Sequence, residues 1–216
     1  MRRTALALAL ALVVPLAASA QDSIDKVNGS VHVEAGQQVG DASTVNGSVH
    51  IEDGATVRKA STVNGSVELG DKAQASEVGT VNGAVTLGAG ARVSGKIEAV
   101  NGAIRLAKDA DVGGRVSNVN GAISLDDAHV GGGLGTVSGD ITVGADSRVE
   151  GGILVDKPGG WFHWGNRRPP HVVIGPHAVV QGTLEFRRDV VLQVSDSAQI
   201  GPVKGATPVK FSGDTP

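Results

Sequence analysis

The chain of 216 residues holds 32 glycines, no cysteine and no tyrosine, and only 2% of it is aromatic. The lack of cysteine excludes a disulfide-stapled scaffold, a thiolate metal site and a thiol nucleophile, and so few large side chains exclude a core built around aromatics. The formal net charge is −3, with 10 basic and 18 acidic residues in 21–156 against 7 and 4 in 157–216; an acidic body excludes the basic face that nucleic acid demands.

Residues 1–20 read as a Sec-type signal peptide. Met1-Arg2-Arg3 is a short basic start, Thr4 to Ala17 is almost wholly Leu, Ala and Val, and Ala18-Ser19-Ala20 offers a small-x-small cleavage site. The apolar stretch is shorter than the roughly 20 residues that span a bilayer. The expected mature chain starts at Gln21 and is exported to the periplasm or cell surface of a bacterium.

Residues 21–156 carry an internal repeat. Val-Asn-Gly recurs with Asn28, Asn46, Asn64, Asn82, Asn101 and Asn120, and a Val137-Ser138-Gly139 variant follows. The spacing is 18 or 19 residues, and within each repeat an aliphatic comb recurs every six residues, as in Val27, Val33, Val39, Val45, Ile51, Val57, Val63 and Leu69. No helical period of 3.6 fits this pattern. Three hexads per repeat predict an all-β chain: a single parallel β-solenoid, triangular in section, with three short strands per coil and about seven coils. The period leaves its hand open. The comb residues are expected to point inward, and Val31, Val49, Val67, Val85, Ile104, Ile123 and Ile141, four places after each comb valine, also suit a packed interior. Asn-Gly is expected to make one corner, because both residues tolerate positive φ. The six asparagines then stack as a hydrogen-bonded ladder. The 19-residue repeats place an extra residue between Val93 and Val100 and between Val112 and Val119, where a bulged corner is expected.

At residues 157–171 the comb stops. Lys157 to Pro170 reads KPGGWFHWGNRRPP, a glycine- and proline-rich loop with both tryptophans of the chain. Trp161, Phe162 and Trp164, followed by Arg167 and Arg168, are the candidate partner-binding residues, since exposed aromatics beside arginine mark binding hot spots. Two readings stay open: docking to a partner, or packing back onto the solenoid. The comb resumes over 172–201 with Ile174, Val180, Phe186 and Leu192 as further coils. Residues 202–216, with Pro202, Pro208 and Pro216, read as an irregular tail able to cover the last coil.

Candidate chemistry is sparse. His32 and His50 stand one coil apart, with Glu68 next in the column; His163, His171 and His177 gather around the aromatic loop. Catalytic zinc needs three ligands converging on an open position, which neither set guarantees. Acidic pairs such as Asp126-Asp127 and Glu52-Asp53 fall at expected corners. No phosphate loop, nucleophile elbow or calcium-binding nonapeptide occurs. The expectation is a chain that is not an enzyme and has no cofactor and no metal.

Ala91-Arg92-Val93-Ser94-Gly95-Lys96-Ile97 and Ser147-Arg148-Val149-Glu150-Gly151-Gly152-Ile153 resemble the repeat unit of bactofilins, as does Ile174 to Leu184. Bactofilins are bacterial polymer-forming proteins with triangular β-helices. The resemblance extends over most of residues 27–200 and implies self-association. Ser138-Gly139-Asp140-Ile141 and Val45-Asn46-Gly47-Ser48-Val49 also resemble units of the exported adhesin-like family with β-strand repeats. Bactofilins are mostly cytoplasmic, and the leader here departs from that pattern. The expected function is a non-enzymatic structural solenoid of the envelope that self-assembles end to end or side by side. The alternative is a monomeric module that binds an envelope glycan, a membrane surface or a protein through its Trp/Arg loop.

Overall fold

The structure is a computed structural model that describes residues 22–158 and 168–216. The expected leader, and Trp161, Phe162, His163, Trp164 and Arg167 of the loop, lie outside the described residues.

Every strand pair is parallel. The chain winds about ten coils of roughly 18 residues into a single β-solenoid. At the usual strand spacing, ten coils make a rod about 43 Å long. A narrow sheet of ten strands, from Val31–Val33 to Val209–Phe211, forms one side. A broad sheet of sixteen strands wraps the other two. In the early coils one strand bends across both broad sides, as in Thr56–Asn64. From Arg92 onward that strand is split by a widened corner at Ser94-Gly95-Lys96, then at Gly113-Gly114-Arg115. These are the expected bulges: two residues lie between Ala75 and Val78, but three lie between Val93 and Ile97.

Six columns of side chains fill the bore. In the third coil they are Val49 and Ile51 on the narrow side, Ala55 and Val57 on the next, and Ala60 and Thr62 on the third. The four-place aliphatics are all inward and fully buried, from Val31 to Ile141. The comb itself is inward at only two of its three positions. Val27, Val45, Val63, Val81, Val100 and Val119 are 39–68% exposed, which corrects the expectation that every comb residue points inward. The cause is a parity change at the bend. Arg58 and Lys59 both face solvent, so the in–out alternation restarts: Ala60 and Thr62 turn inward and Val63 turns out. The comb position at Gly131 is likewise displaced, and Val130 is the buried residue there.

Thr44, Thr62 and Thr80 are buried hydroxyls in an apolar bore, and each donates to a carbonyl of the previous coil: Gly29, Gly47 and Gly65, at 2.8–2.9 Å. Burial without that bond would cost more than a kilocalorie. The solenoid also runs further than expected. Val203–Lys204 pairs with Leu184–Glu185, and Val209–Phe211 pairs with Gln193–Ser195. Residues 202–211 therefore complete a coil, and the expected irregular tail is confined to residues 212–216.

Glycine at the Asn-Gly corner is required by close approach. A Cβ on Gly83 would lie inside contact distance of the Gly65 carbonyl, and the same holds up the column. Gly83→Ala is expected to lower stability by about 1–3 kcal/mol, as overpacking does. Gly79→Ala, whose new Cβ meets only the Glu98 carbonyl at 3.6 Å, is expected to be neutral or stabilising by up to ~1 kcal/mol. Thermal unfolding of the two variants side by side checks this.

Candidate functional site

The corner after each broad-sheet strand presents the most regular surface of the rod. The register stacks Asn28, Asn46, Asn64, Asn82, Asn101 and Asn120 in one column. Each side-chain amide donates to the asparagine oxygen one coil earlier, at 2.9–3.1 Å. The expected ladder is present. At this corner the backbone takes positive φ only at glycines, Gly29, Gly47, Gly65 and Gly121, and it does so again after the narrow side at Gly36, Gly54, Lys72, Gly90, Asp109, Asp127, Asp146 and His177. No asparagine of the ladder adopts positive φ, so asparagine is there for its amide.

Beside the ladder runs the exposed valine column, from Val27 to Val119. Two places before each valine, on the same outward face, stand Asp25, Ser43, Ser61, Gly79, Glu98 and Ser117. This face carries no charge from Ser43 to Gly79. Lys96 pairs with Glu98 at 2.8 Å, and that hydrogen bond and charge hold the Lys96 ammonium above its ordinary pKa.

The aromatic loop departs from this same corner. On its entry side the Asp156 amide donates to the Thr136 carbonyl, and Arg187 sits 3.5 Å from Asp156. On its exit side Asp140 holds both Arg168, at 2.5 Å, and the His171 amide, at 2.7 Å. Of the five loop residues singled out from sequence, Arg168 alone is among the described ones, and it is engaged with Asp140.

The narrow side places His32 and His50 in register, their rings stacked 4.7 Å apart, with Glu68 3.1 Å from His50. The column expected from the repeat is therefore formed. His171 opens the strand after the loop and His177 lies at the far corner beside Asp146, so those two histidines are not brought together. Among the described residues no group of three or more His, Asp or Glu side chains is placed to hold a metal ion. On the side that follows the narrow one, beside the Val57 column, sequence reasoning missed a polar cluster. His129 lies 2.5 Å from Asp111 and 3.5 Å from Glu150, which Arg148 approaches at 3.7 Å. The signal was available in the repeat, since Asp111, His129 and Arg148 are 18 and 19 residues apart. A shallow recess lined by Gln74, Arg92, Asp111 and neighbouring serines adjoins it.

The two ends share a feature that sequence reasoning also missed. Lys26 occupies the column of the buried Thr44, and Lys210 occupies the column of the buried Val194. The Lys26 ammonium turns back to the Ser30 carbonyl, at 2.6 Å, and that of Lys210 lies 3.5 Å from the Ser195 carbonyl. Pro208 precedes the last strand and removes one ladder donor.

Comparison with protein-family models, with curated proteins and with solved structures finds no match to this chain.

Asn64→Ala removes two rungs of the ladder and Asn28→Ala removes one. Each rung is expected to contribute about 0.5–1 kcal/mol, so the interior variant should lose about twice as much stability in urea unfolding as the terminal one.

Proposed function

We propose that the chain is an exported, non-enzymatic structural β-solenoid of the bacterial envelope that associates with copies of itself, in the manner its bactofilin-like repeats suggest. The observation that carries this reading is the valine column. Six of the seven exposed large hydrophobic residues among those described stand in that one line. Aliphatics scattered singly over a surface need no explanation, whereas a continuous stripe marks an interaction site. The stripe follows the full regular part of the rod, as a surface shared between long, regular objects would.

Of the two modes of assembly, side by side is favoured over end to end. A further coil added to either end would bury Lys26 or Lys210 in a core column, and an unpaired buried ammonium is heavily penalised. Export is supported by the leader-like residues 1–20.

A second reading, a monomeric adhesin-like module, is favoured by one observation. Asp140 pins the exit of the Trp/Arg segment through Arg168 and the His171 amide. On this reading the loop would dock an envelope glycan, a membrane surface or a protein.

Light scattering on the exported, leader-processed protein over a concentration series tests the choice. The expected result is a mass that rises with concentration and falls on dilution, unchanged in a Trp161→Ala/Trp164→Ala variant. One monomeric mass at every concentration would overturn self-association and leave the loop as the functional element.

A further inference from the structure

The valine face has a shape that selects its own partner. Val63 and Ser61 point out from the same strand, two residues and about 6.7 Å apart. The same pair recurs as Val45 with Ser43 and Val81 with Gly79. The face is therefore a ridge of valines beside a furrow of serine and glycine, both running parallel to the rod. Ridge and furrow have the same spacing because both are set by the coil repeat.

We propose that two copies pack these faces together about a two-fold axis parallel to the rod, each seating its valine ridge in the serine–glycine furrow of the other. This rests on the self-association reading above and adds its geometry.

Symmetry decides between the two ways of opposing the faces. Rotation about an axis parallel to the rod exchanges left and right and keeps height, so a valine of one copy meets the small residue of the other at the same level. Rotation about an axis across the rod keeps left and right, so valine meets valine and the furrows face each other across a gap. Close-packed interfaces exclude such gaps, and the first arrangement fills them.

Charge agrees with this choice of face. The other two sides carry titratable columns, with His50, Glu68 and Arg105 on the narrow side and Arg92, Asp111 and Arg148 on the side that follows it. Like faces of that kind repel or need desolvation. The valine face is uncharged from Ser43 to Gly79, and its two acidic neighbours are occupied: Asp25 accepts from the Ser43 hydroxyl, and Glu98 pairs with Lys96. At its edges the asparagine ladder of one copy would face the row of Asp41, Lys59 and Glu77 of the other, where amides can both donate and accept. A two-fold contact of this kind is self-complementary and closes at two copies. The face measures roughly 25 by 15 Å from the strand and coil spacings, smaller than the ~800 Å² per partner of a standard interface, so the pair should dissociate on dilution.

The chain has no cysteine, which permits a direct test by disulfide trapping of the leader-processed protein with copper–phenanthroline as oxidant. Val63→Cys and Ser61→Cys are both solvent-facing substitutions. An equimolar mixture of V63C and S61C is expected to give a heterodimer in severalfold excess over either variant alone. Efficient trapping of V63C with itself would overturn the proposed axis. Trapping in none of the samples, while wild-type mass still rises with concentration, would overturn this face and leave self-association standing. A wild type that stays monomeric would overturn both. As an independent readout, Ser61→Leu fills the furrow. It is expected to weaken association at least tenfold although it adds apolar surface; tighter association would overturn the ridge-and-furrow contact.

Discussion

Each coil hangs from the next by backbone hydrogen bonds, and that ladder constrains everything else. Gly47 N donates to Asn64 O at 2.9 Å, and Gly65 N to Asn82 O at the same distance. A spacing of about 4.8 Å between coils leaves no room for a side chain wherever the backbone crosses the carbonyl beneath it. Two columns of glycine result. One runs through Gly47, Gly65 and Gly83 at the asparagine corner. The other runs through Gly95, Gly114, Gly132 and Gly151 at the widened corner, where a Cβ would meet the carbonyl of the preceding coil. The fixed height also brings like residues into register, so a single favourable contact is repeated at every level. The asparagine ladder, the threonine hydroxyls on glycine carbonyls and the stacked His32 and His50 are three cases of one rule.

The bore is narrow, and its contents follow from that. Six inward positions per coil accommodate Val, Ile, Leu, Ala and Thr. Phe186 is the one aromatic in the buried core of the described residues, and it stands where the column beneath it is Val155. Alanine fills the tightest column, through Ala55, Ala73, Ala91, Ala110 and Ala128, each at most 3% exposed. Where Asn118 replaces threonine, its amide reaches the Gly121 carbonyl at 2.6 Å but its side-chain oxygen is left buried without a partner. Threonine satisfies this position through its bond to a glycine carbonyl, and Val155 fills it one coil beyond Thr136 with no polar group to satisfy.

Periodicity made the fold legible. An 18-residue repeat of hexads has one physical solution, and the positions of the two inserted residues were readable from the spacing alone. The direction of each comb residue was not. Val57 and Val63 are the same residue type in the same phase, and only the bend at Arg58 and Lys59 sends one in and the other out. A six-residue comb assumes unbroken alternation, and charged residues at a bend look no different from charged residues on a strand. The last coil was hidden by Pro202 and Pro208, which suggest irregular chain although both sit beside short paired strands. In the candidate site, the asparagine ladder was legible because its partners are one repeat apart. The grip of Asp140 on Arg168 was not, because 28 residues separate them and the loop breaks the register.

A parallel stack has no intrinsic reason to stop, so its ends must supply one. Lys26 and Lys210 enter inward columns that are otherwise Thr, Val, Ile or Leu over most of their length, and natural sheets use inward charges at edges to refuse further strands. On the terminal coil the ammonium reaches water and a backbone carbonyl; beneath another coil it would lose both. The same stack presents valine outward at six levels where the neighbouring furrow shows that serine or glycine is accepted. A monomer gains little from those valines beyond strand propensity, and a soluble rod would be served by threonine. On the proposed self-association, inward lysines at the ends and an uncharged apolar ridge along the side act in one direction: they disfavour a further coil and leave the flank as the surface for a second copy.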